Sequence, residues 1–284
     1  MLNMYMGSLK IHDSINSSDF WLQTPISGLD SPEDRVTVYD KPGEDGAVVS
    51  SSFYSSRPVS LQGVIKGANA TAFENNRKAF IAACSQQKDS NGYPTPIKFT
   101  FTTLAGNTYF FEGYCRKPVM DYDQINFCRY HIEIICADPY IYGNSTNTTT
   151  INRAIGGGAI VPFVVPVTLA PGSGGTGTVV NNGNGISYPV LTLTGPLTNP
   201  YIANTTVGKV MQLTYTIPSG SFVTIDMQAK TILLNNTSSI LSTKTSDSEW
   251  WGLIAGSNNL QLSTSSTADT GNLQISSNDA YLGV

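Results

Sequence analysis

The residues in this chain that could do chemistry are few and poorly arranged for it. Histidine occurs only at His12 and His131, and there is no G-x-S-x-G elbow and no H-E-x-x-H zinc signature. His131 falls on the polar parity of a strand-like stretch and reads as a solvated or hydrogen-bonded surface histidine. Carboxylates cluster at Asp121/Asp123 and at Asp40/Glu44/Asp45. A glycosidase needs two carboxylates held across a sugar cleft. These lie in turn-like segments, where Asp serves local backbone bonding. The Asp40–Gly46 loop also lacks the spaced oxygen ligands of a calcium loop. The glycines at Gly156–Gly158 and Gly172–Gly177 are followed by neither Lys-Ser/Thr nor a helix, so they read as turn glycines and not as a phosphate cradle.

The four cysteines, Cys84, Cys115, Cys128 and Cys136, form no C-x-x-C pair, and with two histidines a zinc site is not expected. Cys128 and Cys136 share the apolar parity of one stretch and read as small buried hydrophobes with reduced thiols. The residues therefore predict no catalytic, cofactor-binding or metal-ligating group, and a protein that is not an enzyme.

The tryptophans are more informative. Trp250 and Trp251 are adjacent in a chain with only three. On a strand, neighbours point to opposite faces, so one fills a core while the other meets a loop, a subunit or a sugar. The sequence does not say which is inside.

The elements that would carry these residues read as β-structure. Charge is low, 13% of 284 residues, and net charge is −4. Without a Lys/Arg cluster, nothing attracts phosphate by bulk electrostatics, so nucleic-acid binding is not expected. The most apolar window, Ala159–Pro171, is broken by prolines and falls short of the ~20 residues that a membrane-spanning helix needs. No signal peptide is visible at the N-terminus. Residues 1–66 read as short strands, with an apolar run at Arg35–Tyr39, a turn-rich loop at Asp40–Gly46, and Val59, Leu61, Gly63 and Ile65 on one parity. One helix is predicted from about Thr71 to about Lys88. Thr71 and Glu74 form its capping box, and Phe73, Phe80, Ile81 and Cys84 form its stripe. Three strands follow, "IKFTFTT", "NTYFFEGYCRKP" and "INFCRYHIEIICAD". The first half is thus an α+β unit. Asn144 to Asn152 is polar and low in complexity, and reads as a linker. Beyond it, roughly eight or nine short strands without a helix, "WWGLIA" among them, predict an antiparallel sandwich.

Taken in order, "DKPGEDG" (Asp40–Gly46), "YSSRPVSLQGVIKG" (Tyr54–Gly67), the helix with Arg77 and "ADPYIY" (Ala137–Tyr142) resemble the distal tail proteins of long-tailed, non-contractile bacteriophages. So do Val180–Leu213, Phe222–Asn236 and the stretch that begins at Trp250. The resemblance covers nearly the whole chain. It implies a mainly β protein with two domains. Residues 1–142 would be a ring-forming domain with a tail-tube-like fold, and 143–284 a galectin-like antiparallel β-sandwich. It also implies a homo-hexameric ring at the distal end of the tail. That ring would join the tail tube protein to the tail-tip hub (a tail-associated lysin-like protein) and to receptor-binding proteins, and let DNA pass without specific binding. The protein would reside in the virion after assembly in the host cytoplasm, with no membrane partner and no cofactor. Arg57 and Arg77 are candidate intersubunit contacts, because arginine is enriched at interfaces, with a local salt bridge as the alternative. Trp250 and Trp251 are further interface candidates. The competing function is a carbohydrate-binding adhesin or tail-fibre module contacting host cell-wall polysaccharide.

Overall fold

The computed structural model describes residues 1–16, 19–23, 26–121, 125–153 and 175–284. These form two compact units. The first is Met1–Asn144 with Tyr281–Val284, and the second is Ser145–Ala280. The sequence reading gave the last four residues to the second domain. They lie in the first unit because Arg57 donates to the carbonyl of Leu282 at 2.6 Å and the Val284 amide reaches the Leu29 carbonyl. No local pattern in "YLGV" signals such a return.

The first unit is built on two antiparallel sheets that share one long strand. Asn3–Met6 and Leu9–Asp13 form a hairpin whose turn uses Gly7 at φ 59°. Asn3–Met6 then pairs with Ile97–Thr102, which pairs with the first half of Thr108–Met120. The second half of that strand passes into the other sheet, where it pairs with Phe127–Cys136 across a register shift between Arg116 and Val119. Phe127–Cys136 pairs with Arg57–Lys66, and the short strand Phe20–Leu22 borders the latter. Strict alternation buries Val59, Leu61, Gly63 and Ile65 on one strand, and Cys128, Tyr130, Ile132, Ile134 and Cys136 on its neighbour. Met4, Met6, Phe99, Phe101 and Phe111 complete this core from the first sheet.

The one α-helix among the described residues, Ala70–Cys84, closes the core with Phe73, Phe80 and Cys84. Its cap is not the predicted Thr71. Asn69 is the N-cap, and its side chain accepts from the Ala72 amide at 2.9 Å. Glu74 instead pairs with Lys78 one turn later. The helix also stops short of Lys88, because Gln87–Lys88 pairs with Pro94–Thr95.

The predicted linker is a strand, Ile141–Asn152. In the second unit, the Asn147 side chain donates to Asp279, and the Asn278 side chain donates to the Ser145 carbonyl. Polar side chains held by polar partners mimic a linker in composition. Ala159–Pro171, Gly156–Gly158 and Gly172–Gly174 lie outside the described residues.

The second unit is an antiparallel sandwich. In one sheet, Val190–Thr194 lies between Phe222–Asp226 and Asn272–Tyr281. The other runs Thr176–Asn181, Gly256–Ser263, Tyr201–Asn204, Lys209–Gln212. Leu191, Leu193, Val223, Ile225, Leu273 and Ile275 from one face meet Val179, Ile202, Met211, Leu260 and Leu262 from the other. The "WWGLIA" segment is not a strand. It runs irregularly across the core, tied by mutual amide–carbonyl bonds between Ser187 and Leu253.

Candidate docking surfaces

Among the described residues, no group of three or more His, Cys, Asp and Glu is placed to hold a metal ion. Among the same residues, no helix is long and apolar enough to cross a membrane. His12 is buried and stacks edge-on against Trp21, and its Nδ1 accepts from the Leu22 amide. That bond requires the neutral ring, and burial holds the imidazole below its ordinary value. Asp13 beside it accepts from the amides of Asn16 and Ile15, from the Asn16 side chain and from Lys10. These bonds, the Asn16 amide foremost, hold its carboxyl well below the usual range. Both residues shape a turn. His131 is half-buried on the outer face of the second sheet. Asp121 is exposed, and Asp123 lies outside the described residues.

All four cysteines are free thiols. Burial pushes the Cys136 thiol up to about 12. Cys84 Sγ donates to the Met6 thioether at 3.8 Å, and its interaction with the Cys115 thiol raises Cys84 and lowers Cys115.

Arg57 corrects its assignment as an intersubunit contact. It is 1% exposed. Its guanidinium donates to the carbonyls of Pro139 and Gly28, each at 2.7 Å, of Leu282, and of Asp30. No carboxylate pairs with it directly, so it is not a salt bridge either. Burial lowers its pKa from the ordinary arginine value, and the charge is retained for four carbonyl dipoles. Arg57 is an internal rivet, joining segments far apart in sequence. Arg77 is half-buried on the helix, with its guanidinium 5.9 Å from the Phe73 ring.

The tryptophan question resolves in the second unit. Trp251 is 2% exposed, among the largest side chains of the core. Trp250 is half-buried and packs against the same core. Neither is the fully outward member of an alternating pair, and the most exposed tryptophan is Trp21 of the first unit. The strand parity that set them apart does not operate here, because the segment is irregular.

The surface that sequence reasoning missed lies between residues 33 and 54. Val38–Asp40 pairs with Ala47–Val49 as a two-stranded ribbon, and Asp34–Arg35 pairs with Phe53–Tyr54 at its base. Every residue from Glu33 to Val49 is exposed. Val38 faces Val49 across the strands and Tyr39 faces Val48, so both faces of the ribbon are apolar. The signal was available: a strand with one buried face alternates, whereas "VTVYD" and "AVV" place apolar residues on both parities.

A second open surface is the outer face of the second sheet. Its cross-strand rows are Trp21–Val64–Arg129, Gln62–His131–Val119 and Ser60–Glu133–Arg116. Trp21 and Val119 are 44% and 47% exposed.

The described residues thus form a two-unit β protein with a helix-braced first unit, an antiparallel sandwich as second unit, one exposed ribbon and one open sheet face. Comparisons with known proteins show what this fold is similar to. Residues 182–275 match the model of the siphovirus-type tail component, C-terminal domain. Along its length the chain has the fold of the SPP1 distal tail protein, Dit (gp 19.1), described as a paradigm of the hub adsorption apparatus in phages infecting Gram-positive hosts. Identity is 13%, 96% of this chain and 97% of that one are covered, and the TM-score is 0.65. A chain of the phage P2 baseplate in its activated conformation with calcium is similar at 9% identity, 97% and 98% coverage and TM-score 0.52. The strontium form gives 10%, 96% of each chain and 0.52. No curated protein matches the sequence. Residues 182–275 thus match a siphovirus-type tail component model, and the chain as a whole is similar in fold to these tail and baseplate proteins.

Proposed function

We propose that this protein is a structural component of a phage tail tip, acting as a ring adaptor. Six copies form a ring at the distal end of the tail. The ring joins the tail tube to the hub and offers attachment to receptor-binding proteins, and its opening passes DNA. The observation that carries this reading is the coincidence of a tail-component domain at 182–275 with a fold shared over 96% of the chain with a hub adsorption protein. A low, slightly negative charge suits a conduit that must not bind what it conducts. The protein works without catalysis, as part of the virion, after assembly in the host cytoplasm.

Co-assembly with the cognate tube and hub proteins tests this. Negative-stain class averages of the complex should show a six-fold ring of this chain between them. A chain that joins neither partner and stays out of purified virions would overturn the reading.

A further inference from the structure

We propose that Cys84 and Cys115 form a thiol–disulfide switch, in which a low-molecular-weight disulfide converts the pair into a covalent bond between the helix and the long strand shared by both sheets of the first unit. The switch is independent of the ring reading, since its chemistry lies inside one chain.

The fold brings the two residues together from different elements. Cys84 is the last residue of the helix Ala70–Cys84 and is buried. Cys115 lies on Thr108–Met120, opposite Ile134 of the neighbouring strand. Alternation along Thr108–Met120 buries Phe111 and Gly113 and turns Cys115 to the same side, where it packs against the core but stays half-exposed. The helix packs directly on this strand, and the two thiols interact side chain to side chain. A disulfide needs that kind of approach, with Cβ atoms about 3.5–4.5 Å apart. All four cysteines are free, so the pair is available.

The two thiols are unequal, which sets the order of events. Cys115 reaches solvent, and the Cys84 thiol lowers its pKa against the opposing effect of burial. Cys84 lies inside, 3.8 Å from the Met6 thioether, and is pushed up. The accessible thiol with the lower pKa attacks, and the buried neighbour resolves. The Cys115 thiolate, its proton given to solvent, attacks one sulfur of the small disulfide. One small thiolate leaves, and a mixed disulfide remains on Cys115. Cys84 then gives its proton to water and attacks Cys115 Sγ, which breaks the mixed bond and releases the second small thiolate. The two protons return to the two released thiolates, so two protein thiols are oxidised and one small disulfide is reduced to two thiols.

The remaining cysteines fit the exchange less well. Cys136 is fully buried beneath Gly113, where an added Cβ would sit 3.0 Å from its Sγ, and burial pushes it up to about 12. Cys128 lies near Arg77 and Asp121 instead. The Cys84–Cys115 bond would close a loop of roughly 30 residues, which restricts the unfolded chain. The first unit would stay unlinked in a reducing compartment and stiffen in an oxidising one.

The test uses the full chain, purified reduced and then incubated with glutathione disulfide. Intact mass spectrometry under denaturing conditions should show the loss of two hydrogens with no glutathione retained. A non-reduced peptide map should place the bond between Cys84 and Cys115. In the reduced protein, iodoacetamide should label Cys115 at least about tenfold faster than Cys84. Cys84→Ser should stop the exchange at a glutathione adduct on Cys115, and Cys115→Ser should leave Cys84 unmodified. Oxidised wild type should unfold at a urea midpoint about 1–2 M above that of the reduced form, and dithiothreitol should reverse the gain. Mass, map, labelling and midpoint need only the wild type, so a variant that fails to fold leaves the test intact. An adduct that persists on wild-type Cys115, a bond to Cys136 or between chains, a chain that keeps its thiols free throughout, or an oxidised midpoint no higher than the reduced one overturns the switch.

Discussion

Replacing Arg57 with Met keeps the length of the side chain and removes every donor. Four backbone carbonyls from Gly28, Asp30, Pro139 and Leu282 then lose a charged partner inside the first unit. A hydrogen bond from a charged donor contributes about 1.5–3 kcal/mol. Some carbonyls will recover water, and the cost of desolvating the guanidinium is refunded, so the sum is well below the total of four such bonds. About 4 kcal/mol is the expected loss, near the 3–5 kcal/mol seen when one side of a buried charged network is removed. For a unit with an m-value of about 2 kcal/mol/M in urea, the midpoint falls by about 2 M. Urea unfolding followed by near-ultraviolet circular dichroism reads the shift, and hydrogen exchange at Val284, whose amide bonds to Leu29, reads release of the last residues. Arg57→Lys should recover little, since an ammonium cannot reach four divergent acceptors. A midpoint within about 0.5 M of wild type, with Val284 still protected, would refute the rivet.

Trp251→Ala should cost about 3–5 kcal/mol through a core cavity, whereas Trp250→Ala should cost about 1 kcal/mol; intrinsic fluorescence during unfolding separates them. Trp251→Phe should cost less than Trp251→Ala, because the indole N–H has no hydrogen-bond partner among the described residues. Asn69→Ala should destabilise the helix by about 1 kcal/mol and Thr71→Ala by much less; chemical denaturation of the two distinguishes the real cap from the predicted one. His12 makes stability depend on pH. Its folded pKa lies below 6.5, so the unfolded state binds the proton first, and the stabilisation is complete above about 6.5 and lost as pH falls through the folded value. Asp13, also depressed, adds a loss below about 3.8. Melting temperatures of His12→Asn should show a shallower decline than wild type between pH 7 and 5, and an unchanged slope would reassign it.

Much of the architecture was legible because alternation is a local signal. Tyr130, Ile132 and Ile134 face one way in the sequence and in the fold. The helix was legible from its apolar stripe, but its cap was not, because Asn69 and Thr71 are both competent and only backbone geometry chooses between them. Asn144–Asn152 misled because composition separates linker from strand only when the polar side chains lack partners, and Asp279 and Asn278 lie more than a hundred residues away. Arg57 misled for the same reason. Its four acceptors are carbonyls, which no residue type advertises. The ribbon was half visible, since its turn was read correctly but the apolar character of both faces was not weighed.

The second unit is an insertion. The chain leaves the first unit after Asn144 and re-enters it at Tyr281. During synthesis, Arg57 emerges early but waits for an acceptor 225 positions downstream. Until Leu282 clears the ribosome, the first unit is missing one of the carbonyls that its buried charge needs. A contact of such sequence separation is slow to form from an open chain. Folding of the intervening sandwich ties its own ends together through Asn278 and Ser145, and so shortens the loop that remains to be closed. The first unit thereby completes its contacts only once the residues that follow the second unit are in place.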